Sequence, residues 1–282
     1  HLQLEVRDVH PVQTKAKPVT VTLNRPSSRP RATLLALAAG AVLIHSPAHA
    51  DGPSEARRDG TQWGLGLAVM SESSPYRGVD TRTRVVPAVL FENRWVRFFG
   101  PSLELKLGPT GPVRWSLLAK YSEDGYEAGD SAALAGMAER KSSVWLGARA
   151  VLPTEWAQLS ATWSADASSH SKGQRLSLSA ERRFAVGHVG VSPRLSVHWS
   201  DSKATQYYYG VESGEATATR SAYRPGASVD TELGLRLDYR LAPQQMLFAD
   251  LGLRALGSEV KDSPLVGRSS LPEVRLGYLY RF

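Results

Sequence analysis

The chain closes on "VRLGYLYRF", residues 274–282. Counting back in twos from Phe282 gives Tyr280, Tyr278, Leu276 and Val274, with Arg281, Leu279, Gly277 and Arg275 between them. A period of two is that of a β-strand with one apolar face. An apolar row that runs to the last residue poses a question of solvent. The row meets either a second sheet or the acyl chains of a membrane.

The same alternation recurs upstream. In "QWGLGLAVM", Trp63, Leu65, Leu67 and Val69 oppose Gln62, Gly64, Gly66 and Ala68. In "SLELKLG", Leu103, Leu105 and Leu107 oppose Ser102, Glu104 and Lys106. In "ELGLRLDYRL", Leu233, Leu235, Leu237, Tyr239 and Leu241 oppose Glu232, Gly234, Arg236, Asp238 and Arg240. A face carrying full charges in mid-strand must be wet or internally paired. Alternation alone fits both the solvent side of a sandwich and the lumen of a membrane barrel.

Connection lengths separate the two. Taking 94–100 and 101–108 as two strands joined at Gly100-Pro101 gives twelve strands, with ten as the alternative. Every second connection is then short, as at 92–93, 110–112, 153–155, 185–187 and 242–245. The others include long ones near 71–82, 122–141, 201–227 and 257–271. Short turns at one end and long loops at the other are the arrangement of an outer-membrane β-barrel. Closure also pairs the last strand with the first, which accounts for an apolar row reaching Phe282. Trp63, Trp95, Trp156 and Trp199 sit near strand ends, where an interfacial girdle wants them, whereas Trp145 falls on the inward face and does not fit.

The start of the chain agrees with export. Residues 25–50 hold Arg25, Arg29 and Arg31, then the apolar run Ala32 to Ile44, then Ala48-His49-Ala50. This reads as a cleaved secretory signal peptide that leaves a barrel of residues 51–282. Residues 1–24 are read as an upstream segment outside the mature protein. Of 34 Lys/Arg and 27 Asp/Glu, residues 1–50 hold six and two, so 28 cations face 25 acids beyond them. That near balance excludes the clustered basic face of a nucleic-acid binder. Cysteine is absent, so no disulfide framework supports the fold.

The inward rows collect Arg114, Lys120, Arg149, Arg175, Glu181, Arg183, Arg194, Arg236, Asp238, Arg240, Arg254 and Arg275. In an open lumen this set favours anions; in a packed one it forms an ion-pair network. A barrel of this size is expected to be narrow and partly plugged. Arg77, Asp80 and Arg140 flank outer loops as candidates for ion pairs across the mouth. Tyr207, Tyr208 and Tyr209 lie in the longest loop as a rim, a plug or a ligand platform. The acidic stretch "YSEDGYEAGDSA" does not match a calcium-loop spacing and reads as a solvated loop, so no metal or cofactor is expected. His198 and Ser200 share a strand face, with Asp201 or Glu181 as partners for the imidazole. This is the one catalytic candidate; GxSxG and HExxH motifs are absent.

Several stretches, in order, resemble the MltA-interacting protein (MipA/OmpV) family. They are "SPYRGVD" (74–80), "ALAGMAERKSSVWLGA" (133–148), "YYYGVESGEA" (207–216), "YRPGA" (223–227), "DSPLV" (262–266) and "LGYLYRF" (276–282). The resemblance implies a barrel in the Gram-negative outer membrane. It also implies a non-catalytic scaffold role, bridging a murein-cleaving lytic transglycosylase and a penicillin-binding protein, although other members look like porins or adhesins. Tyr278, Tyr280 and Phe282 are similar to the terminal signal read by the barrel-assembly machinery.

Overall fold

The computed structural model describes residues 60–282, so the expected signal peptide and the upstream segment lie outside the described residues. Thirteen strands run β1 (Gln62–Glu72), β2 (Arg82–Glu92), β3 (Val96–Phe99), β4 (Ser102–Thr110), β5 (Val113–Ser122), β6 (Ser143–Pro153) and β7 (Gln158–Asp166). They continue as β8 (Gln174–Glu181), β9 (Phe184–Val186), β10 (Val189–Ser200), β11 (Ser228–Ala242), β12 (Gln245–Ala255) and β13 (Ser270–Arg281). Each pairs antiparallel with its chain neighbour, except that β8 and β9 both pair with β10. They are two pieces of one wall strand, interrupted at Arg182-Arg183, where the sequence suggests one run from 173 to 184. The wall therefore has twelve strands.

Closure lies where the chain's last residues predict it. β13 pairs with β1 from Gly64↔Arg281 to Glu72↔Glu273, and the Phe282 amide donates to the Trp63 carbonyl at 2.9 Å. Gly66 occupies the tightest point of this seam, since any Cβ there would collide with the Tyr278 carbonyl. The pattern of exposure settles what the apolar rows face. Trp63, Leu65, Leu67 and Val69 are 52, 52, 61 and 43% exposed, and Leu233 and Leu276 are 61 and 51% exposed. Among the described residues no second sheet covers them, so the alternation is that of a barrel with its apolar face turned to lipid.

Inside, the turn-end half is filled by an apolar cluster of Ala68, Ala88, Leu90, Phe99, Phe248 and Leu279, backed by Val86 and Met246. Leu279 and Gly277, the inward residues of the last strand, belong to this packing: Leu279 is fully buried and Gly277 makes room for the Phe248 ring. Charge pairs cross the remaining lumen. Arg236 bonds Asp238 (2.9 Å), which also accepts from Arg183 (3.0 Å). Arg194 reaches Glu232 (3.2 Å), Asp250 (3.6 Å) and Glu181 (3.9 Å), and Arg254 bonds Glu232 (3.0 Å). Arg275 pairs with Glu72 and Glu273, and Arg84 with Glu72 (3.1 Å) and Glu123 (2.6 Å). These contacts are the ion pairs among inward residues that the sequence offers as one reading of the lumen.

Candidate functional site: a folded cap over the outer mouth

The long connections do not stand free above the barrel. They fold together over its mouth around Tyr76, Val79, Tyr126, Leu134, Met137, Val211 and Leu265, all buried. Leu134 and Leu265 are fully enclosed. These apolar residues come from four separate loops, and burying them against one another gives the cap a core of its own.

One side of the cap rests on α1 (Ser202–Tyr209), which starts where the Asp201 side chain accepts from the Ala204 amide at 2.8 Å. That N-cap role explains the aspartate directly after β10. The helix turns Tyr208 inward onto Trp145 and Ala204, a third buried cluster. Arg175 lies 3.9 Å over the Trp145 ring and 5.5 Å from the centre of Tyr208, and its guanidinium bonds Asp124 at 2.7 Å. Trp145, which fits no interfacial girdle, is thus the shelf on which the cap sits. The Tyr76 hydroxyl lies 3.2 Å from the carbonyl oxygens of both Asp124 and Tyr208, and its ring meets Tyr126 and Tyr209. Burial pushes the Tyr76 hydroxyl well above the usual phenol range and that of Tyr126 up to about 12. Both stay neutral at any physiological pH.

A polar clamp ties the loops from the other side. Arg140 Nη2 donates to both Glu215 oxygens (3.0 and 2.9 Å), its Nε to the Tyr207 carbonyl (2.7 Å) and its Nη1 to the Ala138 carbonyl (3.0 Å). Glu215 also accepts from the amides of Ala138 (2.9 Å) and Glu212 (3.0 Å). Burial by itself would raise the Glu215 carboxyl; those two N–H groups and Arg140 override it and hold the carboxyl below its ordinary value. Arg220 closes the same knot with bonds to the carbonyls of Ala133, Ala135 and Glu215. Arg77 donates to the Val266 carbonyl, pinning the first loop to the last.

The sequence-level candidates therefore separate. Arg140 does bridge the mouth, Arg77 bonds backbone instead, and Asp80 stays exposed with no ion pair among the described residues. Tyr208 is buried in the cap, and Tyr207 and Tyr209 are partly buried against its clusters. The acidic loop is not simply solvated. Burial would raise Asp124, but Arg175 outweighs it and sets its carboxyl at about 2. Arg114 and Arg240 sit at the exposed turn end, Arg183 reaches from that end to Asp238 of the network, and Lys120 and Arg149 lie on the inner face of β5 and β6.

His198 does not pair with Ser200, Asp201 or Glu181. Its Nδ1 meets Ser177 Oγ at 2.9 Å on β8, and its Nε2 meets Glu232 at 3.2 Å on β11. A cross-strand neighbour is directly beside a wall residue, whereas Ser200 is a full repeat further along the same strand. Glu232 is also shared by Arg194 and Arg254, so its oxygens are occupied by structural partners. Sequence patterning does not group the cap residues Tyr76, Tyr126, Leu134, Met137, Val211 and Leu265; their one signal is apolar side chains in loops otherwise rich in glycine and charge.

Most of those residues fall in the stretches that carry the family resemblance, and the comparisons follow the same line. Residues 65–282 match the family model described as MltA-interacting protein MipA. The MltA-interacting protein of Escherichia coli (strain K12) is 28% identical over 89% of this chain and 100% of its own length. The putative outer membrane protein YiaT of the same organism is 24% identical over 82% of this chain and 95% of its own. Outer membrane protein OmpV of Vibrio cholerae is 26% identical over 56% of this chain and 61% of its own. The chain is an outer-membrane β-barrel and belongs to the MltA-interacting protein (MipA/OmpV) family.

Proposed function

We propose that this barrel is a non-catalytic scaffold, anchoring murein-remodelling enzymes at the inner face of the outer membrane. The observation that supports the reading is the packing of the interior: a cap with its own apolar core lies over the mouth, and an ion-pair network and a second apolar cluster lie within the barrel. The likeness to MltA-interacting protein supports a lytic transglycosylase as one partner; a murein synthase of the penicillin-binding type is the other. The turn end, which faces the periplasm when the long loops face outward, exposes Arg94, Arg114, Arg182 and Arg240. Such a basic rim steers acidic partner surfaces by long-range attraction that weakens with salt.

The test is affinity capture from detergent-solubilised envelopes with the mature chain as bait, eluted by raising salt. Recovery of a murein hydrolase or synthase supports the scaffold; recovery of neither, from envelopes that contain both, overturns it. Single-channel recording in planar bilayers supplies the contrast. Stable, anion-favouring steps from the wild-type barrel would replace the scaffold by a channel.

A further inference from the structure

The wall strand formed by β8 and β9 is interrupted where Arg182 meets Pro193 of β10. The Arg182 amide donates to the Pro193 carbonyl at 3.2 Å, but a proline has no N–H to return. Past this break β9 pairs with β10 alone, from Phe184↔Val191 to Val186↔Val189. β7 stops short of it. The last β7–β8 pair is Gln158↔Glu181, and the β6–β7 hairpin closes at the same level with Pro153↔Gln158. At about 3.4 Å per residue, Val186 stands about 17 Å along the strand from Glu181. The opposite flank is covered, because β10 stays paired with β11 down to Val189↔Tyr239. Residues 182–186 thus form an open strand edge at the short-turn end.

Natural sheets blunt such edges, and another hairpin of this barrel shows how. Past Lys106, β4 has β5 as its one strand neighbour among the described residues. There the register shifts between Lys106 and Gly108, Gly108 takes a φ of 92° and Pro109 follows. A bulge and a proline spoil that edge as a template. β9 has neither: Phe184, Ala185 and Val186 are all exposed, and two of the three are strong strand formers. Since Arg182 bonds β10, alternation turns the N–H and C=O of Arg183 and Ala185 to the open side. Among the described residues no turn or loop backbone reaches them.

Charge selects what can pair there. Arg182 lies 5.2 Å from the centre of the Phe184 ring, and both are exposed. The inward carboxylates nearby are taken, Asp238 by Arg183 (3.0 Å) and Glu181 by Arg194 (3.9 Å). Arg114 bonds the neutral Gln158 at 3.2 Å, and Arg240 is exposed. Against these cations, Glu155 is the one exposed carboxylate on the short turns among the described residues. Two copies of the edge would set Arg182 and Arg183 against their own kind, which disfavours self-pairing.

We propose that β9 takes up an extended acidic segment of a periplasmic partner protein as an added strand. Main-chain bonds to Arg183 and Ala185 hold the segment, its apolar side chains cover Phe184 and Val186, and its carboxylates meet the arginines. This docking edge rests on the scaffold reading for the presence of a partner, and supplies the place where that partner is held.

The test uses the full mature chain in lipid nanodiscs and a fluorescent nine-residue peptide alternating glutamate and valine, with binding read by anisotropy. Wild type is expected to bind the peptide, and a lysine–valine version at least tenfold more weakly. With the valines over Phe184 and Val186, the glutamate amides face the edge. N-methylation of those amides should weaken binding at least tenfold, while N-methylation of the valine amides leaves it within twofold. Ala185→Pro deletes an edge N–H without touching the β10 ladder and should also lose at least tenfold. Heat-modifiable migration verifies folding, and Phe184→Thr/Val186→Thr serves if the proline variant does not fold. No binding by wild type, equal binding of the two methylated peptides, or wild-type affinity in the folded variant overturns the proposal. Each of these results stands whether or not envelope capture recovers a murein enzyme, so the edge and the scaffold reading fail separately. A wild-type dimer that Ala185→Pro does not form would give the edge to a second copy and overturn the proposal as well.

Discussion

Replacing Glu215 by glutamine keeps the size of the side chain and removes its charge, leaving Arg140 to face neutral partners. The two side chains are 9 and 12% exposed, so little water can take over the lost interaction. Removing one partner of a buried pair costs about 3–5 kcal/mol. The amide oxygen of glutamine still accepts one or two of the four hydrogen bonds, and the site lies at a rim, so about 3 kcal/mol is the figure to expect. The barrel wall gains none of its ladder from Glu215; the penalty falls on the cap alone. At 1.4 kcal/mol per decade, cap opening becomes about a hundredfold more frequent. Hydrogen exchange on the refolded barrel reads this directly. The Ala138, Tyr126, Arg140 and Val211 amides, all bonded within the cap, should lose about two decades of protection, while β1 and β13 amides keep theirs. Arg140→Met/Glu215→Leu, which removes both charges, should recover part of the loss. Exchange in Glu215→Gln within twofold of wild type would refute the reasoning. So would a parallel loss across the wall, because the cap would then not be a separate cooperative unit.

Trp145→Ala removes the shelf beneath Arg175 and Tyr208; it should cost about 3–5 kcal/mol, seen as protease nicking of the 202–227 loop in an otherwise intact barrel. The Asp124 carboxyl, held at about 2 against an ordinary 3.8, contributes stability that is fully present above pH 4 and disappears as pH falls through 2. Asp124→Asn should therefore flatten the acid limb of the cap's unfolding curve between those values. Gly66→Ala puts a methyl against the Tyr278 carbonyl at the closing seam, so the folded, heat-modifiable fraction should fall sharply. Deleting Phe282, which is 67% exposed and touches Tyr280, should shift the detergent unfolding midpoint by less than about 1 kcal/mol. Its effect should appear in assembly yield in cells.

The period-two rows, the charged faces and the alternating connection lengths determined most of the architecture on their own. A row such as Leu233, Leu235 and Leu237 opposite Arg236 and Asp238 fits a lipid-facing wall with a polar interior, and loop rhythm gives strand number and orientation. These are local and additive signals, readable one strand at a time. What residues from different loops do together is not of that kind. Tyr76, Leu134, Val211 and Leu265 meet only because the barrel brings four loop bases to one rim. The partners of His198 depended on its two neighbouring strands: register sets Ser177 directly opposite it, and Glu232, two residues along β11 from the opposite Asp230, reaches it diagonally, leaving Ser200 aside. Trp145 looked misplaced because its partners, Arg175 and Tyr208, are 30 and 63 residues further along the chain. Sequence periodicity specifies which solvent each face meets; closure of the sheet specifies which distant side chains share a volume, and the cap exists only at that second level.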